Sequence, residues 1–350
     1  MMYPLVQVDP LRLGGSLKWA DCRGQRRRYF NFGILATAWL LRKLSKRRGR
    51  QLIVHVHTPA LVIVVALALT IGARITIVNT QHNTWPNFRP HQKFGLWLMA
   101  FVSKAYIGCA EQATASLPPR MKARLASSDR LHTIPNGIPA DVMRGYTARR
   151  MQVWPAAKGL DSAPRTIVIA KMSPQKNGIH LLNLVKAIPE LGQVTWYGDG
   201  EMRKELQAER TRLDLDERVY FAGVVPREEV YDALARSDFY LTVSLWEGLS
   251  IADLEAVAIG CLPLMSDIPE RRVIAEATGL TLLPREIVGE WRVAAQRYSW
   301  MTQEDRLATG LKLASLACDA FSLEGMIARY LEIYESVGPH KNVFQITESG

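Results

Sequence analysis

The chain has 350 residues, 48% of them apolar and 22% charged, which is enough for two domains with separate cores and excludes a disordered or fibrous protein. Its four cysteines, Cys22, Cys109, Cys261 and Cys318, lie far apart with no CxxC pair, so neither a zinc site nor a disulfide framework is indicated and a reducing cytosol fits best. The net charge of +11 is uneven: residues 1–150 carry 23 Lys and Arg against 5 Asp and Glu, the remainder 21 against 28.

In chain order, residues 3–8 read as a first strand, and Gly14-Gly15 as a loop or ordinary turn before a helical stretch. Arg23, Arg26, Arg27 and Arg28, then Arg42, Lys43, Lys46, Arg47, Arg48 and Arg50, bracket an apolar segment at 30–41. Such a basic amphipathic element attracts anionic surfaces, at roughly 1 kcal/mol per cation near an anionic bilayer. A solvated basic face is the plainer reading; nucleic acid is disfavoured, because the basic runs lack interleaved aromatics and no nucleic-acid motif is present. Residues 61–72 are the most apolar, yet fall short of the roughly 20 residues that span a bilayer, so they read as a buried helix. The N-terminus lacks the charged start and apolar core of a signal peptide.

Residues 52–56 and 74–80 read as strands on either side of that helix, a β-α-β unit of a parallel sheet. His57 and His82 follow these strands, on the edge where such sheets bind ligands, although a lone histidine there is more often an ordinary polar residue. A helix at 94–103, a strand at 105–109 and a helix from Ala110-Glu111 follow, then a strand and tight turn at 131–139 through Asn136-Gly137. Residues 140–164 show no clear periodicity and hold Gly145, Pro155, Gly159 and Pro164, which places a linker over 146–164. Beyond it, strands at 165–170, 194–197, 219–222, 239–244 and 261–265 alternate with helices, as a doubly wound α/β sheet requires. No GxGxxG follows any strand, which argues against a dinucleotide cofactor. Helices at 299–318 and 322–334 close the chain.

The stretch EGLSIADLE at 247–255 combines a capping pattern, Ser250 with Asp253, with two glutamates. The start of a helix beyond a parallel strand offers free N–H groups and positive dipole to an anion, most often a phosphate.

KMSPQKNG (171–178), WYGDGEMRKEL (196–206), VYFAGVVPREEVYDALARSDFYLTVS (219–244) and EGLSIADLEAVAIGCLPLMSD (247–267) occur in register, with ITIVNTQHN (75–83) and IPNG (134–137) before them. Together they resemble the family 4 retaining glycosyltransferases over most of the chain. The resemblance implies the α/β fold GT-B: two Rossmann-like doubly wound domains facing a central cleft, with a C-terminal helix crossing back to the N-terminal domain. It sets an acceptor-side domain at 1–145, a nucleotide-sugar domain at 165–320, the crossing helix at 321–336 and a tail at 337–350. Only 51 residues precede Leu52, fewer than the family usually has there, so the first domain is expected to be shortened.

The resemblance also implies roles. His82 reaches the transferred sugar and Glu247 positions it; Lys171 and Lys176 meet the diphosphate; Gly248, Leu249 and Ser250 lend backbone N–H groups; Glu255 takes the ribose hydroxyls; and Gly14 and Gly15 form an acceptor or donor loop. By their position after the strand at 219–222, and not from the resemblance, Val224 and Val225 would offer backbone to the base. The implied reaction is metal-independent hexosyl transfer, with retention, from a nucleotide-diphosphate sugar to a saccharide or lipid-linked acceptor, with no cofactor. The expected location is cytoplasmic, peripheral at the inner face of the plasma membrane. Two other classes stay open: a degenerate non-catalytic partner or scaffold, and a nucleotide-sugar 2-epimerase.

Overall fold

Continuous apolar, β-branched runs such as LIVHV and RTIVI suit strands covered on both faces, and they pair here in parallel. The computed structural model describes residues 5–9, 15–20, 26–32, 34–46, 52–57, 62–156 and 163–338. Two units result, one of Met1–Pro135 with Ile327–Gly350, the other of Asn136–Met326.

In the first unit, β1 (Leu5–Asp9), β2 (Gly15–Ala20) and β3 (Arg26–Phe32) form an antiparallel sheet. This corrects the helix expected after the glycine pair. The link from Asp9 to Gly15 is short enough to return the chain antiparallel, and Tyr29, Phe30 and Phe32 favour extended backbone. Gly15 opens β2 opposite Phe32; Gly14, Arg23, Arg47, Arg48, Arg50 and the tail from residue 339 lie outside the described residues. The helix Ile34–Lys46 follows, its last turn carrying Lys43 and Lys46 against the dipole. A second sheet is parallel, in the order β4 (Leu52–Val56), β5 (Ile75–Gln81), β6 (Ala105–Gly108), β7 (Leu131–Thr133). Val54, Val56 and Ile77 pack with Leu96, Met99 and Leu125 from its helices, each worth roughly 1.5–3 kcal/mol of burial.

The second unit's sheet runs β10 (Val219–Gly223), β9 (Gln193–Tyr197), β8 (Arg165–Ile169), β11 (Phe239–Thr242), β12 (Leu262–Met265), all parallel. The chain starts at the middle strand, winds outward to β10, then returns to the other side of β8. The winding reverses between β8 and β11, where open α/β sheets bind ligands at their carboxyl edge.

Residues read as a linker are largely a helix, Ala140–Ala156. Its anchor is Arg150, 1% exposed, which donates to the carbonyls of Leu234, Ala235 and Ser237 at the end of the helix Arg227–Arg236. A buried cation capping another helix leaves no apolar periodicity to read. Two helices, Val288–Trp300 and Gln303–Ala320, replace the single one expected at 299–318, separated where the Thr302 hydroxyl accepts from the Asp305 N–H. The last helix, Leu323–Val337, passes from the second unit into the first, as the fold expectation had it.

Candidate functional site

In the second unit, the loop after β8 and the loop after β11 meet at the point where the winding reverses. Lys176 ends a short 3₁₀ turn, Pro174–Lys176, and Asn177 then takes φ 55° before the helix Gly178–Ala187. Asparagine tolerates that left-handed conformation better than most side chains do. The turn aims the Lys176 ammonium at Glu247, with Nζ to Oε1 at 2.5 Å and side chains only 17% and 7% exposed. Gln175 donates to the other carboxylate oxygen at 3.2 Å and to the Trp246 carbonyl at 2.8 Å, while Leu245 N–H reaches the Gln175 carbonyl. The two loops are thus sewn together around one charge pair. Lys171 stands apart from that pair, bound to Glu201 at 3.2 Å on the surface. Gly200, beside it, has no room for a side chain, since a Cβ would lie 2.3 Å from the Met172 carbonyl oxygen.

Gly248 and Leu249 form the bend after Glu247, and Ser250 caps the helix Ile251–Ala258 by accepting from Asp253 N–H at 3.3 Å. The bend is fixed from behind by Asn136, whose amide donates to the Leu249 carbonyl at 2.8 Å. Gly137 is glycine because a Cβ would press within 2.8 Å of the Ser322 carbonyl oxygen. From the sequence, Asn136-Gly137 is expected only to form a turn.

Glu255 is buried, and its Oε1 accepts from the Arg227 guanidinium and from the Tyr231 hydroxyl, the latter at 2.6 Å. Neither partner was expected. Val224 is 81% exposed beyond β10. Beneath the helix start lies a buried ionic floor. Asp253 and Arg271, both 1% exposed, pair at 2.7 Å; Asp253 also accepts from Tyr240, and Arg271 donates to Thr242 and Ser266. Burial pushes the Asp253 carboxyl up and Arg271 pulls it down, with a net lowering. The same burial drives the Tyr240 hydroxyl far above its usual range. This network ties β11, β12 and the helix start together, so the loop carrying Glu247 rests on a stiff base.

The first unit holds a different kind of cluster. His57 Nδ1 and His82 Nε2 are hydrogen-bonded at 2.9 Å beyond β4 and β5. His55, within β4, meets Thr80 at 2.7 Å and Tyr334 at 2.6 Å, and Thr80 meets Tyr330 at 3.2 Å. The tyrosines, four apart on the last helix, project from one face of it. Burial lowers all three histidines, His55 most strongly and His57 to about 4, with the neighbouring histidines adding repulsion for His55 and His57. An imidazole pair sharing one N–H needs a neutral acceptor ring, which agrees with that direction. Among the described residues, no three His, Cys, Asp or Glu side chains are grouped to hold a metal ion.

Two family models match: "Glycosyltransferase Family 4" over residues 20–142 and "Glycosyl transferases group 1" over residues 152–283. EpsF of Bacillus subtilis, named as a glycosyltransferase, is 28% identical over 89% of this chain and 80% of its own. A UDP-Gal:alpha-D-GlcNAc-diphosphoundecaprenol alpha-1,3-galactosyltransferase of Escherichia coli is 30% identical over 29% of this chain and 27% of its own. Among solved structures, Anabaena HepE in complex with UDP superposes with a TM-score of 0.69 at 17% identity, covering 86% of this chain and 82% of that one. The chain belongs to the group 1 glycosyltransferases, of family 4 type, on the GT-B fold.

Proposed function

We propose that this glycosyltransferase moves a hexosyl group, with retained anomeric configuration, from a nucleotide-diphosphate sugar to the hydroxyl of a lipid-linked or polysaccharide intermediate. The observation that carries the reading is the Lys176–Glu247 pair at the reversal point of the second sheet, beside the start of the helix Ile251–Ala258. A diphosphate entering there would meet Lys176 and free N–H groups at Gly248, Leu249 and Ser250, the donors that stabilise charge building on a leaving group. Glu247, released from Lys176, would orient the sugar. Both hydrogen bonds to Glu255 fall on Oε1, so Oε2 is the oxygen to receive the ribose hydroxyls.

In the proposed step the bond from the anomeric carbon to the diphosphate breaks and one to the acceptor oxygen forms on the same face. The acceptor proton passes to the departing diphosphate oxygen, so neither a metal nor a covalent enzyme intermediate is called for. His82 orients the transferred sugar as a neutral ring. Support for the acceptor class comes from the diphosphoundecaprenol-linked substrate in the Escherichia coli relative's name and from a cellobiosyl-diphosphopolyprenol mannosyltransferase of Xanthomonas campestris, 25% identical over 53% of this chain. These names favour transfer over epimerisation or a scaffold. An acceptor on a lipid carrier would bring the protein to the cytoplasmic face of the membrane. The test is a panel of nucleotide sugars offered with lipid-linked acceptors, reading nucleotide release and product anomer. An α-linked donor giving an α-linked product agrees with the reading; an inverted product, or no release with any donor, contradicts it.

A further inference from the structure

The helix Pro90–Val102 turns Leu96, Met99 and Ala100 into the core. Its opposite stripe would ordinarily be polar. Instead Phe94, Trp97 and Phe101, spaced by three and four, stand 61%, 45% and 42% exposed, with successive ring centroids 6.3 and 4.4 Å apart. The helix Val62–Thr70, expected to be buried, is apolar all round and leaves Ile63 59% exposed. An apolar cavity of about 610 Å³, lined by Ile63, Ala66, Leu67, Phe94 and Leu98 among others, opens between these two helices. The two helices are the next α-helices after β4 and β5, whose ends lead into His57 and His82, so their first turns lie at the same edge of the sheet as the histidine pair.

Cations flank the stripe. The helix Pro119–Ser127 buries Met121 and Leu125 and exposes Arg120, Lys122 and Arg124, and the Arg124 guanidinium sits 4.3 Å above the Phe101 ring. None of these three helices contains a carboxylate, and residues 62–130 hold eight Lys and Arg against two Asp and Glu. Aromatic rings beside unpaired cations suit an interface with an apolar interior and anionic headgroups. No helix among the described residues is long and apolar enough to cross a membrane, so this surface would lie on a bilayer, not through it.

We propose that this face docks on an anionic lipid bilayer: Phe94, Trp97 and Phe101 enter the acyl boundary, Arg120, Lys122 and Arg124 meet headgroup phosphates, and the cavity offers a slot to a lipid tail. The choice of a bilayer rests on the lipid-linked acceptor reading for its purpose and on the one-signed charge for its physics. The full-length protein is sedimented with vesicles of phosphatidylcholine alone or mixed with phosphatidylglycerol, at low salt, and nucleotide release from donor in solution is followed in parallel. Binding is expected on the mixed vesicles only. Neutralising three cations, Arg120→Ala with Lys122→Ala and Arg124→Ala, weakens it about a hundredfold, and Phe94→Ser with Trp97→Ser and Phe101→Ser at least as much, with nucleotide release unchanged. The basic variant keeps the test open if the aromatic one misfolds. Equal binding by wild type and the basic variant overturns the proposal, as does no binding by wild type, or a wild-type dimer that the aromatic variant converts to monomer without a vesicle effect. If wild type binds vesicles but releases no nucleotide from any donor, the transferase reading fails and the docking surface stands.

Discussion

The two units solve opposite electrostatic problems. In the second, charges are paired with one another: Lys176 with Glu247, Arg227 with Glu255, Asp253 with Arg271. In the first, the polar groups at the strand ends are neutral rings and hydroxyls, with His55, His57 and His82 all pushed toward the uncharged form by burial. A site for an anion must hold cations ready and screen them until the ligand arrives. A site that orients hydroxyls works best without net charge. The Lys176–Glu247 pair therefore reads as a resting arrangement, in which Glu247 holds the ammonium until a ligand oxygen takes its place, while Asp253 and Arg271 stay paired beneath it.

The largest effect that would break this contrast is removal of the ionic floor. Arg271→Met leaves Asp253 buried and unpaired, and should cost about 3–5 kcal/mol in denaturant unfolding of the second unit. Adding Asp253→Leu should recover much of that loss, because the stranded charge goes too.

Acid should separate the units next. Folded-state pKa values below 6.5 for the three histidines mean that the unfolded chain binds more protons as pH falls. Their contribution is complete above pH 6.5 and is lost on acidification, reaching about 4 for His57. Asp253 is also lowered, but from 3.8, so its contribution persists above that pH and is lost only below it. Between pH 6.5 and 4 the first unit should therefore loosen before the second. Hydrogen exchange corrected for intrinsic rates, compared over β4–β5 and over β11–β12, reads this directly; equal protection at pH 5 would contradict it.

A smaller effect concerns the outer pair. Arg227 is more than half exposed, so Arg227→Ala should leave stability within about 1 kcal/mol and raise the donor KM several-fold, with kcat little changed. A fall in kcat without a change in KM would instead place Arg227 on the reacting centre.

The second unit was largely legible because its strands are apolar runs, with Gly198 and Gly223 at the ends of β9 and β10 and Gly260 between the helix Ile251–Ala258 and β12, and its candidate site residues sit in contiguous motifs. What escaped lies between segments. Arg227 with Glu255, Asn136 with Leu249, and Asp253 with Arg271 join positions whose partnership leaves no periodic trace. The helix Ala140–Ala156 was hidden for a related reason, since Arg150 and Trp154 anchor it where a pattern of aliphatic residues would normally do so. Strand β1 falls where residues 3–8 are expected to be extended, but β2 and β3 were missed because cations dominate β3 and mask its aromatic residues. Tyr330 and Tyr334 stand on a helix expected from the sequence at 322–334, but only the fold brings them to His55 and Thr80.

The central claim is that the Lys176–Glu247 pair is the donor site held in its resting state. Steady-state transfer by Lys176→Ala and by Glu247→Ala measures it most directly, with circular dichroism confirming the fold. Each variant should lose about 10²–10³ in kcat, the usual cost of removing one stabilising group from a site of developing charge. Near-normal kcat in either folded variant would contradict it.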